Sequence, residues 1–69
     1  MSRLNLLGEN IRKFRNQKGW SQQVLADYLV LTREHISRVE NGQEYLSLRK
    51  VFLLADTLGV KVSELFNFD

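Results

Sequence analysis

The sequence predicts an all-α fold of about five short helices, and three observations point there. Apolar residues recur at helical spacing, and no segment alternates apolar and polar residues long enough to make a strand. Proline is absent. Of the glycines at Gly8, Gly19, Gly42 and Gly59, the last three each follow an apolar-periodic segment, where a helix commonly ends. At 69 residues the chain reads as a single domain over residues 1–69 with one small core. A chain of this size buries only about 60% of the surface its unfolded form exposes. With no cysteine and one histidine, a disulfide is excluded and a structural zinc site is not expected. Packing or a partner subunit must supply the stability.

The first helix is expected from about Leu6 to Lys18, with Asn5 as its cap and Leu7, Ile11 and Phe14 on one face. Gly19 ends it. Ser21 caps the second helix, in which Leu25 and Leu29 form the buried stripe with Ala26 beside them. Thr32 caps the third helix, about 33–40, whose inner face is Ile36 and Val39 and whose end is Asn41-Gly42. Ser47 caps the fourth, carrying Leu48, Val51, Phe52, Ala55 and Leu58 as far as Gly59. A short fifth helix, about Val62 to Phe66, returns Leu65 and Phe66 to the core.

No long apolar run is present, so neither a membrane span nor a signal peptide is expected, and a cytoplasmic protein is. The formal net charge is +2, from 10 Lys+Arg against 8 Asp+Glu. That balance permits a nucleic-acid partner where the basic residues cluster, without demanding one. There is no phosphate-binding glycine loop, no metal cluster and no nucleophile beside the single histidine, and so small a chain does not readily enclose a substrate pocket. No enzyme, cofactor, metal or small-molecule ligand is expected.

The stretch from Ser21 to Gly42, SQQVLADYLVLTREHISRVENG, carries the functional signal. Only two or three residues separate its two helices. So short a link forces a close crossing, and Ala26 is the small residue at the contact. With Leu25, Leu29, Ile36 and Val39 turned to one core, the third helix presents Arg33, Glu34, Ser37 and Arg38 outward, with His35 beside them. These side chains can donate to or accept from base edges and phosphates in a major groove.

The pattern resembles the helix-turn-helix domains of the phage Cro and repressor type, the XRE family. Ile11-Arg12, Arg15, Gly19, Ser21-Gln22 and Leu25-Ala26 match it, followed by Ile36-Ser37, Glu40, Gly42, Ser47-Leu48, Ala55, Leu58-Gly59-Val60 and Leu65-Phe66. The resemblance runs from about Leu7 to Phe66. It implies a compact five-helix fold, a recognition helix in the major groove of double-stranded DNA, and two subunits on half-sites about 34–36 Å apart. By position it implies base reading by Arg33, Glu34 and Arg38. Backbone contacts are implied or permitted at Ser21, Gln22, Thr32, His35, Ser37, Asn41, Gln43 and Tyr45. It also implies a structural ion pair between Arg15 and Glu40. Arginine can bond guanine O6 and N7 in a bidentate way, and glutamate can accept from cytosine N4.

Three departures stand out. Val30 occupies the turn where the family usually has glycine, and a β-branched residue at positive φ is a conformational outlier. Leu46 replaces a common proline, and NGQEYLSL is similar to the controller proteins of restriction-modification systems. Lys61 replaces the Ser/Thr cap of the last helix. Trp20 and Phe14 are expected in packing and not in base stacking, and Arg12, Lys13 and Lys18 on a solvated face. Phe52, Val62, Phe66 and Phe68 exceed what a small core needs, so some of them are expected to form a two-fold patch for a homodimer. The expected function is sequence-specific DNA-binding transcriptional regulation. The alternative is a protein-interaction module that retains the fold.

Overall fold

A computed structural model describes residues 2–68. Within them the order is α1 (Arg3–Gln17), α2 (Gln22–Leu29), α3 (Arg33–Glu40), α4 (Leu48–Leu58) and α5 (Val62–Leu65). The described residues contain no strand, and no helix among them is long and apolar enough to cross a membrane.

Helix starts follow local chemistry. The hydroxyls of Ser2, Ser21, Thr32 and Ser47 accept from the backbone N–H groups of Asn5, Val24, His35 and Lys50, each three residues on. These bonds satisfy donors that a helix cannot satisfy itself. Ser2 is the cap of α1, so α1 begins at Arg3, before the expected Leu6, and Asn5 lies in its first turn as the residue that donates to Ser2. Lys61 makes no capping bond for α5.

Helix ends share one device. The N–H groups of Trp20, Leu31, Gln43 and Val60 donate to the carbonyls of Arg15, Ala26, Arg38 and Ala55, at 3.2, 2.9, 2.8 and 3.0 Å. This six-residue closure needs left-handed backbone at the residue just before the donor. Those residues are Gly19, Val30, Gly42 and Gly59, with φ of 75°, 56°, 75° and 69°. Val30 thus occupies the glycine position of a motif that the other three helix ends build with glycine. Its side chain is 80% exposed, so little packing compensates.

The core gathers one stripe from each helix. Leu7 and Ile11 of α1, Leu25, Ala26 and Leu29 of α2, Ile36 and Val39 of α3, and Leu65 of α5 are buried, as expected. On α4 the buried stripe is Val51, Leu54, Ala55 and Leu58. Leu54 was not expected there, whereas Leu48 and Phe52 are 68% and 52% exposed. They flank the stripe of a helix that packs against α2 and α5. Phe66 lies just past α5 and is exposed, so only Leu65 returns to the core. Phe14 and Trp20 are partly buried against the core, and Trp20 stacks on Tyr28 with ring centroids 4.8 Å apart.

Polar ties cross the helices. Asn10 Nδ2 donates to the Leu65 carbonyl at 2.9 Å and holds α5 to α1. Lys50 Nζ donates to the Leu29 carbonyl at 2.6 Å, placing a cation at the C-terminus of α2, where the helix dipole favours it. Gly8 lets α1 and α3 touch backbone to backbone. A Cβ at Gly8 would stand 2.6 Å from the Val39 carbonyl oxygen and closer still to that of Glu40.

Two substitutions test these points. Alanine favours a helix interior by about 1 kcal/mol over glycine, yet Gly8→Ala is expected to lower stability by about 1–3 kcal/mol, because α1 and α3 must separate. A denaturant titration checks this, and an unchanged midpoint would show that the contact is not tight. Val30→Gly removes a left-handed L-residue worth about 1–2 kcal/mol of strain, partly offset by the greater freedom of glycine in the unfolded chain. The expected net gain is about 0.5–1 kcal/mol, a rise in Tm of about 2–8 °C. A lower Tm would contradict the left-handed turn.

Candidate nucleic-acid interface

The short α2–α3 connection turns α3 so that Ile36, Val39 and Glu40 face inward. Arg33, Glu34 and Arg38 are exposed on the outer side, with Ser37 and His35 half-buried at its margins. The face is mixed in charge. Arg33 Nη2 lies 3.5 Å from Glu34 Oε1, and both side chains are more than half exposed. Glu44, in the loop after α3, accepts from Arg38 Nε through Oε2 at 3.1 Å and lies 3.4 Å from His35 Nε2. Nothing in the sequence pattern singled out Glu44, because the bend of this loop is what brings it back to α3.

Ser21 and Thr32 are exposed at the starts of α2 and α3. Each hydroxyl oxygen accepts a capping bond, which leaves its proton free to donate outward. The free N–H groups and dipole at these helix starts favour an anion. Asn41, Gln43 and Tyr45 are exposed in the following loop, Tyr45 at 74%.

Beneath α3 lies a buried polar knot. Arg15 holds Glu40 in bidentate fashion, Nε to Oε2 at 2.7 Å and Nη2 to Oε1 at 3.0 Å. Its Nη1 donates to the Trp20 carbonyl at 2.7 Å. Gln22 Nε2 donates to Glu40 Oε1 at 3.0 Å, and Arg12 Nε reaches the same oxygen at 3.3 Å. Arg12 Nη2 also donates to Asn41 Oδ1 at 2.9 Å. Arg12 is therefore engaged with α3 and not merely solvated. The amide of Gln22, expected on a phosphate, is turned inward, although one of its two protons stays available. Long-range pairings of this kind carry no local signal in the sequence.

Glu40 is 2% exposed and Arg15 8%. Burial alone would raise the Glu40 pKa. Hydrogen bonds from Arg15 and Gln22, the Arg15 charge and the bond from Arg12 outweigh burial and hold the carboxyl below its ordinary value of 4.5. The stability this gives is complete above 4.5 and is lost as pH falls through the lowered folded value. Glu40→Gln strands the Arg15 charge and is expected to cost about 3–5 kcal/mol at neutral pH. Thermal melts at neutral pH and at about pH 3 should show a smaller acid loss for the variant than for wild type, since the variant lacks the titrating group. Equal acid losses would remove Glu40 as the source.

The residues expected in a dimer patch divide. Val62 and Phe68 pack partly buried against the core. Phe52 and Phe66 stay exposed, as do Leu48 and Leu53. Among the described residues no cluster of His, Asp or Glu is placed to hold a metal ion.

Comparison with known proteins agrees with this geometry. A family model described as Helix-turn-helix matches residues 11–65. The chain is 38% identical over 55 residues to YonR of Bacillus subtilis, named as an SPbeta prophage-derived uncharacterized HTH-type transcriptional regulator, with 80% of this chain and 51% of that protein covered. It is 35% identical over 60 residues to the control protein C.SmaI of Serratia marcescens, covering 87% of this chain and 71% of that one. The crystal structure of the restriction-modification controller protein C.AhdI from Aeromonas hydrophila superposes with a TM-score of 0.85 at 38% identity, over 91% of this chain and 96% of that one. The chain spans about half the length of YonR and of several other curated relatives. With the five-helix fold and the order of its motifs agreeing with a family match that runs from within α1 to the end of α5, this chain belongs to the helix-turn-helix family of the phage Cro and repressor type.

Proposed function

We propose that this chain is a sequence-specific DNA-binding transcriptional regulator that lays α3 in the major groove of an operator. The observation that carries the reading is the outward row Arg33, Glu34, Ser37 and Arg38 on a short helix braced from beneath by the Arg15–Glu40 pair. Arg33, Glu34 and Arg38 are assigned to bases. Ser21, Gln22, Thr32, His35, Ser37, Asn41, Gln43 and Tyr45 are assigned to the sugar-phosphate backbone. The names of the relatives as transcriptional regulator and control protein support the same function, and no catalytic role is assigned.

Geometry favours two copies. An eight-residue α3 is about 12 Å long, enough for one half-site. The longest extent of the domain is 29 Å, short of the roughly 34–36 Å between successive major grooves on one face of the duplex. A second copy covering Phe52 and Phe66 would supply the other recognition helix and remove exposed aromatic surface from water.

Selection of bound sequences from random duplex DNA tests the function. A two-fold sequence with half-sites about one helical turn apart is expected, with affinity falling steeply as salt rises. Arg38→Ala should weaken binding to that sequence by about 1–3 kcal/mol and relax preference at one base pair. Equal binding of wild type to every duplex would instead support an interaction module that keeps only the fold.

A further inference from the structure

The contact between Glu44 and Arg38 sits on the face assigned to DNA, yet it joins two groups of the free protein. The carboxylate takes Arg38 through Nε alone, at 3.1 Å. Among the described residues, no hydrogen bond engages the two terminal nitrogens of Arg38. Those two nitrogens form the end-on fork that matches guanine O6 and N7. The same Glu44 oxygen lies 3.4 Å from His35 Nε2, one turn earlier on α3. The carboxylate is held by Arg38 and lies beside His35, while its side chain remains partly exposed at 40%.

We propose that Glu44 is a positioning residue that orients the Arg38 guanidinium for a guanine and limits its use on phosphates. This rests on the reading of α3 as the recognition helix. An unrestrained arginine loses rotamer freedom when it binds a base, and a side chain already held through Nε loses less. The negative charge acts in the opposite sense on DNA that offers only phosphates, because it partly neutralises Arg38 and repels the backbone. Removing Glu44 therefore moves two quantities in opposite directions. Discrimination at the Arg38 base pair falls, and affinity for random duplex rises. Loss of folding would lower both.

The test uses the full chain and its Glu44→Ala, Glu44→Gln, Arg38→Ala and Glu44→Ala/Arg38→Ala variants. The probes are random-sequence duplex and the duplex selected by wild type, with all four base pairs placed in turn at the position that Arg38→Ala relaxes. Glu44→Ala should reduce discrimination there by about three- to tenfold and tighten random-duplex binding by about two- to fivefold. Glu44→Gln keeps an oxygen to accept from Nε, so it should tighten random-duplex binding while retaining most of the discrimination. In the Arg38→Ala background, Glu44→Ala should leave base preference unchanged. The proposal is overturned if Glu44→Ala leaves discrimination intact, or if its effect on discrimination persists without Arg38. A distinct result, Arg38→Ala relaxing no base position, would overturn the assignment of Arg38 to a base and this inference with it.

Discussion

Glu40 lies where α1, α2 and α3 converge, and its carboxylate is shared by Arg15 and Arg12 of α1 and by Gln22 of α2. A buried carboxylate is tolerated only when its lone pairs are satisfied and its charge is balanced. Both conditions are met here by residues from two other helices. The consequence is geometric: α3 cannot rotate or slide without stranding a charge. A helix of eight residues has little intrinsic stability. Its orientation is therefore set from below, by this knot and by Ile36 and Val39, which leaves its upper face free of structural duty.

Gly8 belongs to the same constraint. The knot needs α1 close to the end of α3, and a side chain at Gly8 would hold them apart. Just past the same end of α3, Gly42 allows a similar approach of the Asn5 side chain, against which a Cβ at Gly42 would collide. Two glycines thus bring backbone of α3 and its exit loop against α1, and the guanidinium groups of Arg12 and Arg15 then reach Glu40 at hydrogen-bond distance. Close backbone approach and buried ion pairing are one arrangement and not two separate features.

The two surfaces left over have different chemistry. The α3 side is polar and its charges are arranged in exposed pairs, Arg33 with Glu34 and Arg38 with Glu44. Exposed pairs of this kind contribute little to stability. The α4–α5 side is apolar, with Phe52 and Phe66 outward and Val62 and Phe68 turned to the core. A polar face on α3 and exposed aromatic surface at α4–α5 suit the proposed division between DNA and a second copy.

The five helices, three of the expected caps and nearly all of the core were legible from local rules. Helical spacing identifies Leu25, Leu29, Ile36 and Val39, and a serine or threonine before an apolar run identifies Ser21, Thr32 and Ser47. The left-handed turn at Val30 was legible through the resemblance to a family that has glycine there. Boundaries at the margins were not: Asn5 and Ser2 are both good caps, and Leu48, Phe52 and Leu54 are all apolar residues on one helix. What α4 packs against selects Leu54, and that is a tertiary fact. The partners of Arg12, the inward turn of Gln22 and the return of Glu44 to Arg38 are equally invisible along the chain, because 28, 18 and 6 residues separate the members of these pairs. By itself, then, the sequence determined the helices, the caps of α2, α3 and α4, and the family, since those depend on spacing and on the chemistry of neighbouring residues. Only the tertiary structure decided which polar side chains brace α3 and which remain exposed on its outer face. Both sets contain the same residue types, and burial and distance alone tell them apart.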